Sequence, residues 1–303
     1  MNKQLPESHD RNFPSAFDPK LFTPGPLTTS ASVKHAMLHD IGAWDAPLRA
    51  LVKEIRAGVL DAAEVCQDSG WECTLMQGSG SFGVESAIGS LTPRDGRLAV
   101  VANGAYGERM ITIAEMLGIE VVPLRFPENA IANADRIDAA LSSDPTIHSV
   151  AMVHCEITTG LLNDAAAVGE VTRKHDRRFL LDAMSSFGAY SLDLEALGCD
   201  ALISSANKCI EGVPGFSFIV ARRDLLVAAD EGAWPRSHSL DLVGQWKAFE
   251  SGGKFRFTPP NQVLLAFAQA LREFRAEGGV SGREQRYRAN HDALLKGMTL
   301  LGF

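Results

Sequence analysis

Seven short apolar runs, separated by stretches of helical period, constrain this chain more than any other feature of its sequence. The runs are ECTLMQ (72–77), LAVVAN (98–103), IEVVPL (119–124), SVAMVH (149–154), RFLLDA (178–183), ALISSA (201–206) and FSFIVA (216–221). Several lack in/out alternation, which is how a strand covered on both faces reads. Between them lie helical patterns such as YGERMITIAEMLG, with Gly118 placed as a C-terminal stop, and DAAAVGEVTRKH, with Asp164 placed as an N-cap. Strands that alternate with helices predict an α/β fold, a mainly parallel seven-stranded sheet sandwiched by helices. Ligands of such folds sit outside the carboxyl ends of the strands, so the chemistry is sought there.

From Pro260 the character changes to two long helical patterns, VLLAFAQALREFRAEGG and SGREQRYRANHDALLKGMTLLGF, with no further strand before Phe303. The expected organisation is an N-terminal arm over 1–30, a large domain over 31–272, and the beginning of a small C-terminal domain over 273–303. A length of 303 residues suits two domains. The charge balance, 29 basic against 37 acidic residues for a net −8, offers no basic stripe for a nucleic-acid backbone. The five cysteines form no CxxC pair, so neither a zinc ribbon nor a disulfide framework is expected. The first twenty residues lack the apolar core of a signal peptide, and no run approaches the roughly 20 residues that span a bilayer. A cytoplasmic protein without metal, membrane or nucleic-acid partners is the expectation.

Three strand ends carry candidate chemistry. In QGSGSFGVESAIGS, Gly78, Gly80 and Gly83 satisfy GxGxxG, but the next strand end reads Ala102, Asn103, Gly104, with no acidic residue to hold a ribose. No lysine follows the second glycine, which excludes a P-loop. What remains is a helix N-terminus with the hydroxyls of Ser79 and Ser81, suited to a phosphate monoester, or a tight turn with no ligand. In RFLLDAMSSFG, Asp182 ends an apolar strand, where a carboxylate needs either a cationic partner or a turn to cap. In ALISSANKCIEGVPGF, Lys208 stands among small, apolar and glycine residues 26 positions after Asp182, surroundings that favour a nucleophilic amine over a solvated one. A phosphate cradle, a lysine and a carboxylate together fit pyridoxal 5'-phosphate.

LFTPGPLTTSASVKHAML from Leu21, LMQGSGSFGVES, ANGAYGERM, AMVHCEITTGLLN, LLDAMSSFGAYSLDLEAL, DALISSANKCIEGVPGFSFIVAR and KFRFTPPNQVLLAFAQAL resemble class V, fold type I aminotransferases over nearly the whole chain. The resemblance is strongest to the branch that acts on 2-aminoethylphosphonate and pyruvate. It implies that Lys208 is the Schiff-base lysine and Asp182 the partner of the pyridine nitrogen. It places Ser79, Gly80 and Ser81 at the phosphate, Tyr106 on the cofactor ring, and Thr158 or Thr159 at the 3-oxygen. Thr258 would reach the phosphate across a homodimer interface. Outside the resemblance, Tyr106 reads equally as a half-buried aromatic, and Thr158 and Thr159 as turn caps. His154 and Glu156 read as structural hydrogen-bonding groups, Cys209 as packing, and Arg256 as a phosphate anchor or a salt bridge. The family's small domain continues past the point equivalent to Phe303 with a strand and a substrate-binding arginine. The remaining readings are another class V aminotransferase, working on alanine or serine with glyoxylate or pyruvate, and a truncated, inactive cofactor-binding chain.

Overall fold

The computed structural model describes residues 19–303; the first part of the expected N-terminal arm lies outside them. The strands are β1 (Trp71–Gln77), β2 (Arg97–Ala102), β3 (Glu120–Arg125), β4 (Ile147–Val153), β5 (Cys155–Glu156), β6 (Leu161–Leu162), β7 (Arg178–Asp182), β8 (Ala201–Ser205) and β9 (Phe216–Arg222). The helices are α1 (Ala31–Ala36), α2 (Ala46–Ala62), α3 (Gly80–Leu91), α4 (Ala105–Met116), α5 (Ala134–Ser143), α6 (Ala165–Lys174), α7 (Arg223–Glu231), α8 (Leu242–Gly252), α9 (Asn261–Ala276) and α10 (Gly279–Leu300).

All seven apolar runs become strands of one sheet in the order β1-β9-β8-β7-β4-β2-β3, while β5 and β6 form a separate two-residue hairpin. Only β9 runs against the others, pairing antiparallel with both β1 and β8. Pro123 has no N–H to donate, which suits β3 to its place on the edge. Alternate residues of each inner strand feed separate cores. Val150 and Met152 of β4 join Val101, Leu181, Phe218 and Phe267 on one face. Ala151 and Val153 join Val100, Leu180, Ile203 and Ile219 on the other. Both faces being apolar is the physical reason the runs lack alternation.

The helix boundaries follow local chemistry. Asp164 caps α6 by accepting the Ala167 N–H, as the sequence predicts. Gly118, at φ +69°, closes the turn after α4. Helix α9 runs unbroken across residues 272 and 273 to Ala276, and the first break falls at Gly278 and Gly279, both in the left-handed region. Among the described residues no helix is long and apolar enough to cross a membrane, and no group of His, Cys, Asp and Glu is arranged to hold a metal ion.

Candidate active site

A cavity opens at the carboxyl ends of β1, β7 and β8. It is lined by Ser79, Gly80, Ser81, Val84, Tyr106, Arg109, Met110, Asp182, Met184, Ser205, Asn207 and Lys208. The three candidate strand ends, far apart in sequence, therefore meet in one place.

Helix α3 contributes its first turn. Ser79 occupies the N-cap position without a side-chain cap bond, whereas Ser30, Asn133, Asp164 and Asp241 cap α1, α5, α6 and α8 with their own oxygens. The first N–H groups of a helix have no intrahelical acceptor, so this terminus presents free donors and the positive end of the dipole to the cavity. A Cβ on Gly80 would come 2.7 Å from the Met184 sulfur, so a larger residue there would have to push the end of that side chain aside.

Asp182, the last residue of β7, is 3% exposed, and its Oδ1 accepts the Met184 N–H at 2.8 Å. Burial pushes its carboxyl up to about 6, against the lowering effects of the Met184 N–H and Lys208. Burial likewise pulls the Lys208 amine below its ordinary value, against the attraction of Asp182. For both groups loss of water outweighs their mutual attraction, so each is held away from its usual charged state.

Lys208 sits in the turn between β8 and β9, where the Glu211 N–H donates to the Lys208 carbonyl at 2.7 Å. The segment before α1 crosses this turn, with Leu27 N–H donating to the Asn207 carbonyl at 3.3 Å. Gly25 packs so closely there that a Cβ would lie 2.5 Å from Cδ of Lys208.

Tyr106 is aimed by Glu156, a fully buried residue. Its Oε2 accepts the N–H groups of Tyr106 and Gly107 at 3.1 and 3.4 Å, and its Oε1 accepts the Thr158 hydroxyl at 2.8 Å. This carboxylate caps α4 from another element. Gly104 must be glycine beside it, since a Cβ would stand 2.2 Å from Cγ of Glu156. Thr159 bonds the Glu156 carbonyl at 3.3 Å. Thr158 and Thr159 do not line the cavity, and neither does Thr258, which is exposed ahead of α9.

His154 is buried, its Nδ1 lies 2.8 Å from the Ser186 hydroxyl, and desolvation pushes it down to about 4. It is neutral near pH 7 and structural. Cys209 donates its thiol to the Ser185 carbonyl. Arg256 pairs with Asp241 at 3.0 Å, away from the cavity. Sequence reasoning missed Arg109, which donates to the Ser81 hydroxyl at 3.2 Å and stacks 4.6 Å from the Tyr106 ring centroid. Its place one helical turn after Tyr106 was a usable signal. Gly25 had none, because only the tertiary path brings it to Lys208.

Comparison with known proteins agrees with this architecture. The family Aminotransferase class-V matches residues 55–302. A protein of Syntrophobacter fumaroxidans named 2-aminoethylphosphonate:pyruvate transaminase is 49% identical over 284 residues, 93% of this chain and 76% of its own. One of the same name from Klebsiella pneumoniae is 48% identical over 285 residues, 93% of this chain and 77% of its own. Among solved structures, alanine-glyoxylate aminotransferase from Nostoc sp. superposes with a TM-score of 0.84 at 22% identity, covering 99% of this chain and 79% of that one. Ureidoglycine-glyoxylate aminotransferase from Bacillus subtilis gives 0.84 at 22% identity, covering 92% and 72%. The chain belongs to the class V aminotransferases, a family of pyridoxal-phosphate-dependent enzymes.

Proposed function

We propose that the chain is a pyridoxal-phosphate-dependent transaminase that moves the amino group of 2-aminoethylphosphonate to pyruvate, giving phosphonoacetaldehyde and L-alanine. The observation that carries this is the meeting of Lys208, Asp182 and the open N-terminus of α3 in one cavity. The choice of substrates rests on relatives of that name at 48% to 49% identity.

The residues present suit the cofactor. The free N–H groups of the first turn of α3, with the hydroxyls of Ser79 and Ser81, match a phosphate. A buried carboxyl that resists ionisation on its own is matched by a ring N–H beside it. Bound there, the cofactor supplies an electron-poor ring that stabilises negative charge on the donor carbon. Asp182 holds the proton on the ring nitrogen. Lys208 Nζ, its proton affinity lowered by burial, would act as the base that takes the proton from the amine-bearing carbon of the donor and as the acid that gives it up again, with the bound cofactor supplying the acceptor carbon. With pyruvate the same nitrogen works in reverse, returning a proton to the carbon that becomes Cα of alanine. Tyr106, on the cavity wall, would cover one ring face and exclude water from it. The Thr158 and Thr159 hydroxyls are bonded to Glu156 outside the cavity lining and would reach the 3-oxygen only on leaving it. Thr258 is exposed outside its own chain's cavity, which suits a contact with the phosphate of a second copy in a homodimer. The cofactor unit runs from residue 31 through α9, whose Leu271 and Phe274 pack in its core, so its boundary with α10 falls at the Gly278–Gly279 turn rather than at 272.

The test is to load the purified chain with the cofactor and add 2-aminoethylphosphonate without an acceptor. The visible band of the bound cofactor is expected to shift to the amine form, and pyruvate is expected to restore it with release of alanine. A band that responds to alanine or serine with glyoxylate, and not to the phosphonate, would overturn the substrate assignment. A band that no amine moves would overturn the transaminase itself.

A further inference from the structure

Arg283 of α10 is 2% exposed, an unusual position for a guanidinium. Its Nη1 donates to the carbonyl of Cys209, the residue next to Lys208. Its Nε donates to Glu277 at 2.7 Å, Glu211 lies 3.4 Å from Nη1, and the group stacks 5.2 Å from the Phe274 ring centroid. The two carboxylates are shared with Arg286, which pairs with Glu211 at 2.8 Å and Glu277 at 2.6 Å. The Tyr287 hydroxyl closes the cluster on Glu211 at 3.0 Å.

Two features tie this cluster to the lysine turn. Glu211 adopts φ +62°, a left-handed conformation that side chains other than glycine rarely take, so the turn needs outside contacts to hold it. Glu277 stands at the C-terminal cap of α9, just before the glycine turn at 278 and 279. The cluster therefore joins the Lys208 turn to the α9–α10 corner. An apolar residue could fill the site of Arg283 at no greater cost than a desolvated charge. A buried cation retained on a backbone carbonyl is explained by what it positions.

We propose that Arg283, held by Glu277 and Glu211, is a positioning residue that clasps the Cys209 carbonyl and so fixes the direction in which the Lys208 side chain enters the cavity. This rests on the reading of Lys208 as the amine that meets the cofactor. Lys208 itself faces Asp182, Arg109 and the thiols of Cys155 and Cys209. Arg283 acts on it through the backbone.

The test compares Arg283→Met and Arg283→Lys in the full chain with wild type. Competitive acetylation of the cofactor-free chain across pH, read by peptide mass spectrometry, gives the midpoint of Lys208 labelling. Release of the turn is expected to let water reach the amine and raise that midpoint by about one pH unit in Arg283→Met. Arg283→Lys, which keeps the charge but cannot serve Glu277 and the carbonyl together, falls between. Hydrogen exchange of residues 207–212 is expected to rise by about tenfold or more while β4 and β7 stay protected. An unchanged Lys208 midpoint in Arg283→Met with β4 and β7 intact overturns the proposal, whether or not the turn loosens. Should β4 and β7 lose protection in Arg283→Met, the midpoint in Arg283→Lys decides, an unshifted value overturning the clasp. Borohydride reduction of wild type with pyridoxal phosphate reports separately. No tag on Lys208 there refutes the cofactor reading and leaves the labelling midpoint as a test of the clasp.

Discussion

Replacing Asp182 by Asn should make the cofactor-free protein more stable while removing its chemistry. The carboxyl is fully buried at the end of β7, and burial raises it from 3.8 to about 6. A displacement of that size corresponds to roughly 3 kcal/mol. The sign follows from proton counting. Between about pH 4 and 6 the folded state holds a proton that the unfolded chain has released, so stability is lost as pH rises through this window and stays lost above it. Asn keeps the acceptor for the Met184 N–H, which lies 2.8 Å from Oδ1, and has no charge to desolvate. At pH 7.5 the cofactor-free Asp182→Asn protein is expected to exceed wild type by roughly 2 to 3 kcal/mol in urea unfolding. The matching rise in thermal midpoint is about 4 to 6 °C for a chain of this size. Near pH 4 the gap should close, because the wild-type carboxyl is then protonated in the fold. Turnover of the loaded variant should fall by several powers of ten, each worth about 1.4 kcal/mol of barrier. A variant no more stable than wild type at pH 7.5, or a gap independent of pH, would refute the claim that this carboxylate is held at a cost for its ring partner.

Lys208→Ala should lose both turnover and the borohydride tag, checked by alanine formation and peptide mass; retained turnover would sink the assignment. Gly25→Ala would set a Cβ 2.5 Å from Lys208 Cδ. It should slow cofactor loading by about tenfold, followed by the growth of the visible band. Glu156→Gln should weaken the cap on α4 and cost about 1 to 2 kcal/mol in urea unfolding. Cofactor affinity should fall with it, because Tyr106 is aimed by that cap; unchanged affinity would separate Tyr106 from the site.

Much of the frame was legible because each part has a local cause. Strands buried on two faces need continuous apolar runs, and all seven were read from them. Asp164 and Gly118 announce helix ends through backbone hydrogen bonding that involves only neighbours. Ser79, Asp182 and Lys208 stood out as polar residues at the ends of apolar strands, where their presence needs a reason. Legibility failed for contacts made across the fold. The Glu156 cap on Tyr106, the approach of Gly25 to Lys208 and the burial of Arg283 on Cys209 join residues 50, 183 and 74 positions apart, and no periodicity marks such pairs.

By itself the sequence determined the α/β class, the number of strands in the sheet and the residue types that meet at their carboxyl ends, since these follow from hydrophobic period and short-range hydrogen bonding. The tertiary structure decided the reversed direction of β9, the assembly of three strand ends into one cavity and the departures of Asp182 and Lys208 from their ordinary charge states. Those depend on how much water the packed neighbours remove and on which distant groups replace it, quantities fixed only once the sheet has formed and both faces are covered.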